Sequence, residues 1–109
     1  MSRSDIMDYA IIPQKEDHTM PQTKISHPSP DKLKDLGVAS WTPWSCDPSE
    51  FDWQYPETEI AYVKKGRVVV TEEGGEQVEI KAGDLVTFPK GLKCHWKVIE
   101  RIEKVYSGG

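Results

Sequence analysis

Histidine and cysteine are scarce in this chain: three histidines (His18, His27, His95) and two cysteines (Cys46, Cys94) are all it has. So few thiols exclude a disulfide framework, and a single well-separated pair reads as two reduced cysteines. Long apolar runs are also missing. Nothing approaches the roughly 20 residues that span a bilayer, and the N-terminus does not have the charged, apolar and small-residue order of a secretory signal, so no membrane partner and a cytoplasmic location are expected. Nor is there a basic stripe. The formal charge is −4, spread over interspersed acidic and basic residues, which argues against nucleic acid as a partner.

What remains is an ordinary globular composition of 37% hydrophobic and 29% charged residues over 109 positions, enough for one modest core. Residues 1–22 hold scattered charge without a sustained period and are expected to be a flexible extension, leaving 23–109 as a single domain. A short strand is expected at Thr23–Ile25. From Pro30 to Gly37 a leading proline, an early acid, an apolar pair three apart and a closing glycine predict a short helix.

Everything after Gly37 alternates as strands do: Val38–Cys46, Phe51–Tyr55, Glu59–Lys64, Arg67–Glu72, Gln77–Ile80, Leu85–Phe88, Lys93–Val98 and Ile102–Tyr106. Lys65-Gly66 and Glu73-Gly74-Gly75-Glu76 read as hairpin turns. About eight or nine short strands with frequent turns make a barrel or sandwich. The most legible stretch is Lys81–Gly91. Gly83 and Gly91 free the backbone at its two ends, and Pro89 stops the ladder after Phe88, as at a barrel corner.

Two blocks then stand out: Glu59, six residues, Gly66; and Gly83, five residues, Pro89, one residue, Gly91, two residues, Cys94. They resemble the two motif blocks of the cupin superfamily, which implies an all-β fold, a jelly-roll barrel (double-stranded β-helix) with one short N-terminal helix. Phe51-Asp52-Trp53, Gly83–Gly91 and Lys93–Val98 are more closely similar to small single-domain cupins grouped with (S)-ureidoglycine aminohydrolase. In metal-binding cupins three histidines and a glutamate hold the ion. At the corresponding positions this chain has Trp53, Tyr55 and Cys94 for the histidines and Glu59 for the glutamate.

A divalent ion needs at least three converging lone-pair donors, and Trp53 offers none while neutral Tyr55 is a poor one. Glu59 and Cys94 leave the set short. His95 could complete a set of Glu59, Cys94 and His95 for Mn²⁺ or another divalent metal, but strand alternation turns it outward if Cys94 and Trp96 face in. No cofactor is therefore expected. Trp53, Tyr55 and Trp96, with Glu59 and Cys94 as polar groups, would instead form an aromatic box for a small organic molecule carrying a cationic or hydroxyl group. An inward Glu59 needs a partner, for which Tyr55, a water or a ligand are candidates. Cys94 reads as an inert buried thiol.

Three functions follow in order of preference. The first is metal-independent binding of a small organic molecule; the second, implied by the resemblance, is a metal-dependent aminohydrolase acting on a nitrogenous metabolite; the third is an interaction domain with a solid barrel. Trp41 and Trp44, flanking Pro43, are expected to pack on the helix or on a second subunit, and a homodimer is expected from that patch.

Overall fold

A computed structural model describes residues 21–108. Of the extension expected at residues 1–22, residues 1–20 lie outside the described residues. Gln22, at its other end, donates its backbone N–H to the Glu72 carboxylate.

Strand β1 (Lys24–Ser26) leads through His27-Pro28 into helix α1 (Pro30–Leu36). The helix begins where the sequence says it should. Ser29 caps it by accepting the Lys32 N–H on its hydroxyl, Pro30 takes the first turn where no N–H is needed, and Gly37, at φ 74°, ends it by donating to Lys34. Val38–Ser40 is a single 3-10 turn rather than the start of the expected strand, which shortens β2 to Thr42–Cys46. β3 (Ser49–Gln54), β4 (Glu59–Glu72), β5 (Gln77–Lys81), β6 (Leu85–Phe88) and β7 (Lys93–Gly108) complete the chain.

Two expectations fail in the same way. Lys65-Gly66 is not a hairpin turn but the middle of the 14-residue β4, and Lys93–Val98 and Ile102–Tyr106 are one 16-residue strand. β4 and β7 run antiparallel along nearly their whole lengths, with register shifts between Val63 and Val68 where the ladder bends. Gly66, at φ 95°, sits at that bend. A Cβ there would overlap the Arg101 carbonyl and the Ile102 backbone, so the glycine permits a close crossing, not a reversal.

This long pair is the spine of both halves of the barrel. In one half the strands run β1-β6-β4-β7-β2; in the other, β5 pairs with the later part of β4 and β3 with the earlier part of β7. The inward positions of both halves, among them Val68, Val70, Ile80, Val86, Phe88, Val98 and Ile102, form one apolar core. The fold is an all-β barrel of the jelly-roll kind with one short helix.

Polar groups fasten the N-terminal segment to this shell. The buried Glu72 carboxylate accepts from Gln22 N, Thr23 N and Thr23 Oγ1, at 2.6–2.9 Å. Asp84, also buried, accepts the Lys81 N–H on one oxygen and places the other 2.8 Å from His27 Nε2. With three donors converging on it, Glu72 is buried as a satisfied acceptor.

Candidate functional site

Inward side chains at one end of the barrel leave a cavity of about 500 Å³ instead of filling it. Trp44 from β2, Phe51 and Trp53 from β3, Tyr55 just beyond β3, and Trp96 and Tyr106 from β7 provide its rings; Glu59 from β4 and Lys104 from β7 provide its charges. Alternation explains the β7 set, since Trp96 lies on the inward face of its first half, while Lys104 and Tyr106 share a face in the second.

The rings are packed on one another. Tyr55 stacks on Phe88 at 4.5 Å and 8°, Phe51 stacks on Trp96 at 5.8 Å, and Trp44 meets Trp96 edge-on at 5.9 Å. Trp44 thus lines the pocket. Trp53, expected inside the box, stands at its rim. It is 49% exposed and touches Tyr55 by its edge at 6.3 Å.

Glu59 is buried, and its partner is none of the candidates the sequence suggested. Lys104 Nζ lies 2.7 Å from Glu59 Oε2, and the lysine is itself only 7% exposed. The ammonium sits over four rings, 5.0 Å from Trp44 and Trp96, 5.5 Å from Tyr106 and 5.8 Å from Phe88. Burial pulls the Lys104 ammonium below its usual value, and the Glu59 charge opposes that pull. The cation expected of a ligand is supplied by the chain. Sequence reading missed Lys104 because a lysine on a strand is assigned to solvent. The signal was there in Ile102, Lys104 and Tyr106, which share a face with an aliphatic and an aromatic neighbour.

Tyr55 is buried deeply enough that its hydroxyl is held well above the ordinary phenol value, an effect the Glu59 charge reinforces. Tyr55 is therefore a neutral hydroxyl. Trp96 Nε1 is buried without a well-formed hydrogen bond, although its N–H lies near enough to Tyr55 and Cys94 to favour their ionised forms slightly.

Cys94 is buried but lies apart from this pocket. Its thiol reaches the Trp53 carbonyl at 3.6 Å and lines a second, more open depression of about 570 Å³ beside Glu72 and His95. Burial pushes the thiol up to about 11. His95 faces outward, its ring between Asp52 at 2.8 Å and Glu50 at 2.9 Å, and those two hydrogen bonds, Glu50's first, hold its pKa above the ordinary imidazole value. Glu59 is committed to Lys104, Cys94 to a carbonyl, and His95 to two surface acids. Among the described residues no three His, Cys, Asp or Glu side chains converge as a metal-binding group. The donor set does not fit a divalent ion of the kind that cupins hold.

A sequence model of the EutQ-like cupin domain matches residues 33–106. A DUF861-family protein from Thermotoga maritima is 50% identical, with a TM-score of 0.78 over 79% of this chain and 98% of that one. The chain is also similar to a putative ethanolamine utilization protein Q from Salmonella typhimurium, 29% identical with a TM-score of 0.56, over 61% of this chain and 53% of that one. A DUF861-family protein of unknown function from Pseudomonas syringae is 26% identical with a TM-score of 0.57, over 62% of this chain and 29% of that one. The chain accordingly spans about half of the Salmonella protein. No curated protein matches.

Proposed function

We propose, from the premise that the chain belongs to the EutQ-like cupin family, that it binds a small, neutral, largely apolar organic molecule in the aromatic pocket without a metal ion. The carrying observation is the composition of that pocket: about 500 Å³ ringed by six aromatic side chains, with one internally neutralised ion pair as its charged groups. Rings of this kind favour a flat apolar body, and the Lys104–Glu59 pair favours a hydroxyl or carbonyl that can hydrogen-bond to either member. A cationic ligand would meet an ammonium already in place, and an anionic one would compete with Glu59.

The cavity also weighs against the solid-barrel reading, in which these rings would serve only as core. The finer resemblance to (S)-ureidoglycine aminohydrolase requires a metal-centred site, and the donors here disfavour it: of the four ligand positions only Glu59 keeps the residue of the metal-binding members, and Lys104 holds it, while Cys94 is a protonated thiol set against a carbonyl. A homodimer is not required by this function, because one chain contributes every lining residue.

Tryptophan fluorescence titration tests the reading, since Trp44, Trp53 and Trp96 all border the pocket. Benzyl alcohol is expected to quench saturably at one site per chain and benzylamine is not. Phe51→Ala is expected to weaken benzyl alcohol binding about three- to tenfold, the worth of a lost ring contact. Equal binding of the alcohol by the variant, or a stoichiometric Mn, Fe, Ni or Zn in the purified protein, overturns the proposal.

A further inference from the structure

We propose that Lys104 is a covalent amine nucleophile, and that the pocket captures a small apolar aldehyde or ketone on it as a protonated imine. The proposal rests on the binding reading above and names its ligand class.

Four observations meet at one atom. Lys104 Nζ belongs to a lining residue of the only cavity among those described that is walled mainly by rings. It is in hydrogen-bonding contact with a carboxylate, Glu59 Oε2, at 2.7 Å. Four ring faces surround it at 5.0–5.8 Å. Finally, burial makes its ammonium easier to deprotonate than an ordinary lysine's, which is how desolvated lysines become nucleophiles. A structural role alone accounts poorly for the pair, since a buried ion pair stabilises a fold no better than apolar side chains of similar volume.

The chemistry closes within the site. The ammonium passes a proton to Glu59 Oε2, leaving a neutral amine and a neutral carboxyl. The nitrogen lone pair forms a bond to the carbonyl carbon while the C=O π pair moves onto oxygen, and one N–H proton transfers to that oxygen, giving a carbinolamine. The Glu59 carboxyl then protonates the hydroxyl. The C–O bond breaks, water departs, and the nitrogen lone pair closes the C=N bond. The protonated imine stands beside an ionised Glu59, the same two opposite charges as at the start, and the rings that faced the ammonium face the new cation. No oxidant or reductant is consumed, and the addition reverses with water.

Benzaldehyde with sodium cyanoborohydride, which reduces imines in place, tests this on the intact wild-type protein. Peptide mapping is expected to find one benzyl group on Lys104, acquired at least tenfold faster than on exposed lysines such as Lys64 and Lys90, and slowed by benzyl alcohol. Glu59→Gln keeps the amine and removes the proton carrier, so it should slow labelling of Lys104 at least tenfold. Lys104→Arg should abolish the fast phase. Benzyl alcohol binding with Lys104 labelled no faster than the surface lysines overturns the imine and leaves the binding reading standing; absence of benzyl alcohol binding overturns both.

Discussion

Cys94 and Lys104 lie ten positions apart on one strand and answer burial differently. Lys104 brings a carboxylate and four rings with it, whereas Cys94 has only a carbonyl at 3.6 Å and stays protonated. With its thiol pushed up to about 11, against 9.0 for a free one, Cys94 should carry roughly a hundredfold less thiolate at pH 8 than it does in the unfolded chain. Iodoacetamide labelling followed by mass mapping is expected to show that deficit in the native protein and its loss in denaturant. Because only the thiolate reacts, the native rate should climb about tenfold per pH unit until near 11; a rate that levels off below pH 9 would contradict the assignment. The residue scale is also where the sequence was least informative. Tyr55 and Glu59 were reached through the resemblance to the cupin motif blocks and Trp96 through alternation beside Cys94, but whether Trp53 is wall or rim depends on where β3 ends, and Lys104 was invisible because solvent is the default for a lysine.

At the scale of elements, short-range punctuation was readable and long-range crossing was not. Ser29, Pro30 and Gly37 fix the ends of α1 through contacts within a few residues, and Leu85–Phe88 emerged with its true bounds because Gly83 and Pro89 act locally. Gly66 carries the same letter but a distant cause. Its partner is the Arg101–Ile102 backbone, thirty-five residues on, and no local pattern distinguishes such a bulge from a turn. Gly66→Ala should therefore destabilise the protein by about 3 kcal/mol, combining positive-φ strain with a clash against backbone that cannot move aside. Gly75, at φ 97° with open space around it, is the control: Gly75→Ala should cost only about 1 kcal/mol. Urea midpoints of the two variants decide, and equal costs would mean that β4 and β7 do not cross tightly at residue 66.

For the whole molecule, the continuity of β4 and β7 matters most. Each strand is paired in both halves of the barrel, and Glu72 ties the N-terminal segment to the far end of β4, so neither half can open while the other keeps its ladder. Urea unfolding followed by tryptophan fluorescence and by far-ultraviolet circular dichroism is expected to give coincident transitions. Separate midpoints would show that the halves are independent units.

The Lys104–Glu59 pair has a kinetic consequence as well. Its two charges cancel within the cavity, so a visiting molecule is neither drawn in by a long-range field nor asked to exchange counterions on arrival. If the pocket binds as proposed, encounter is left to diffusion and dewetting of the rings, and occupancy should change little with ionic strength across dilute buffers.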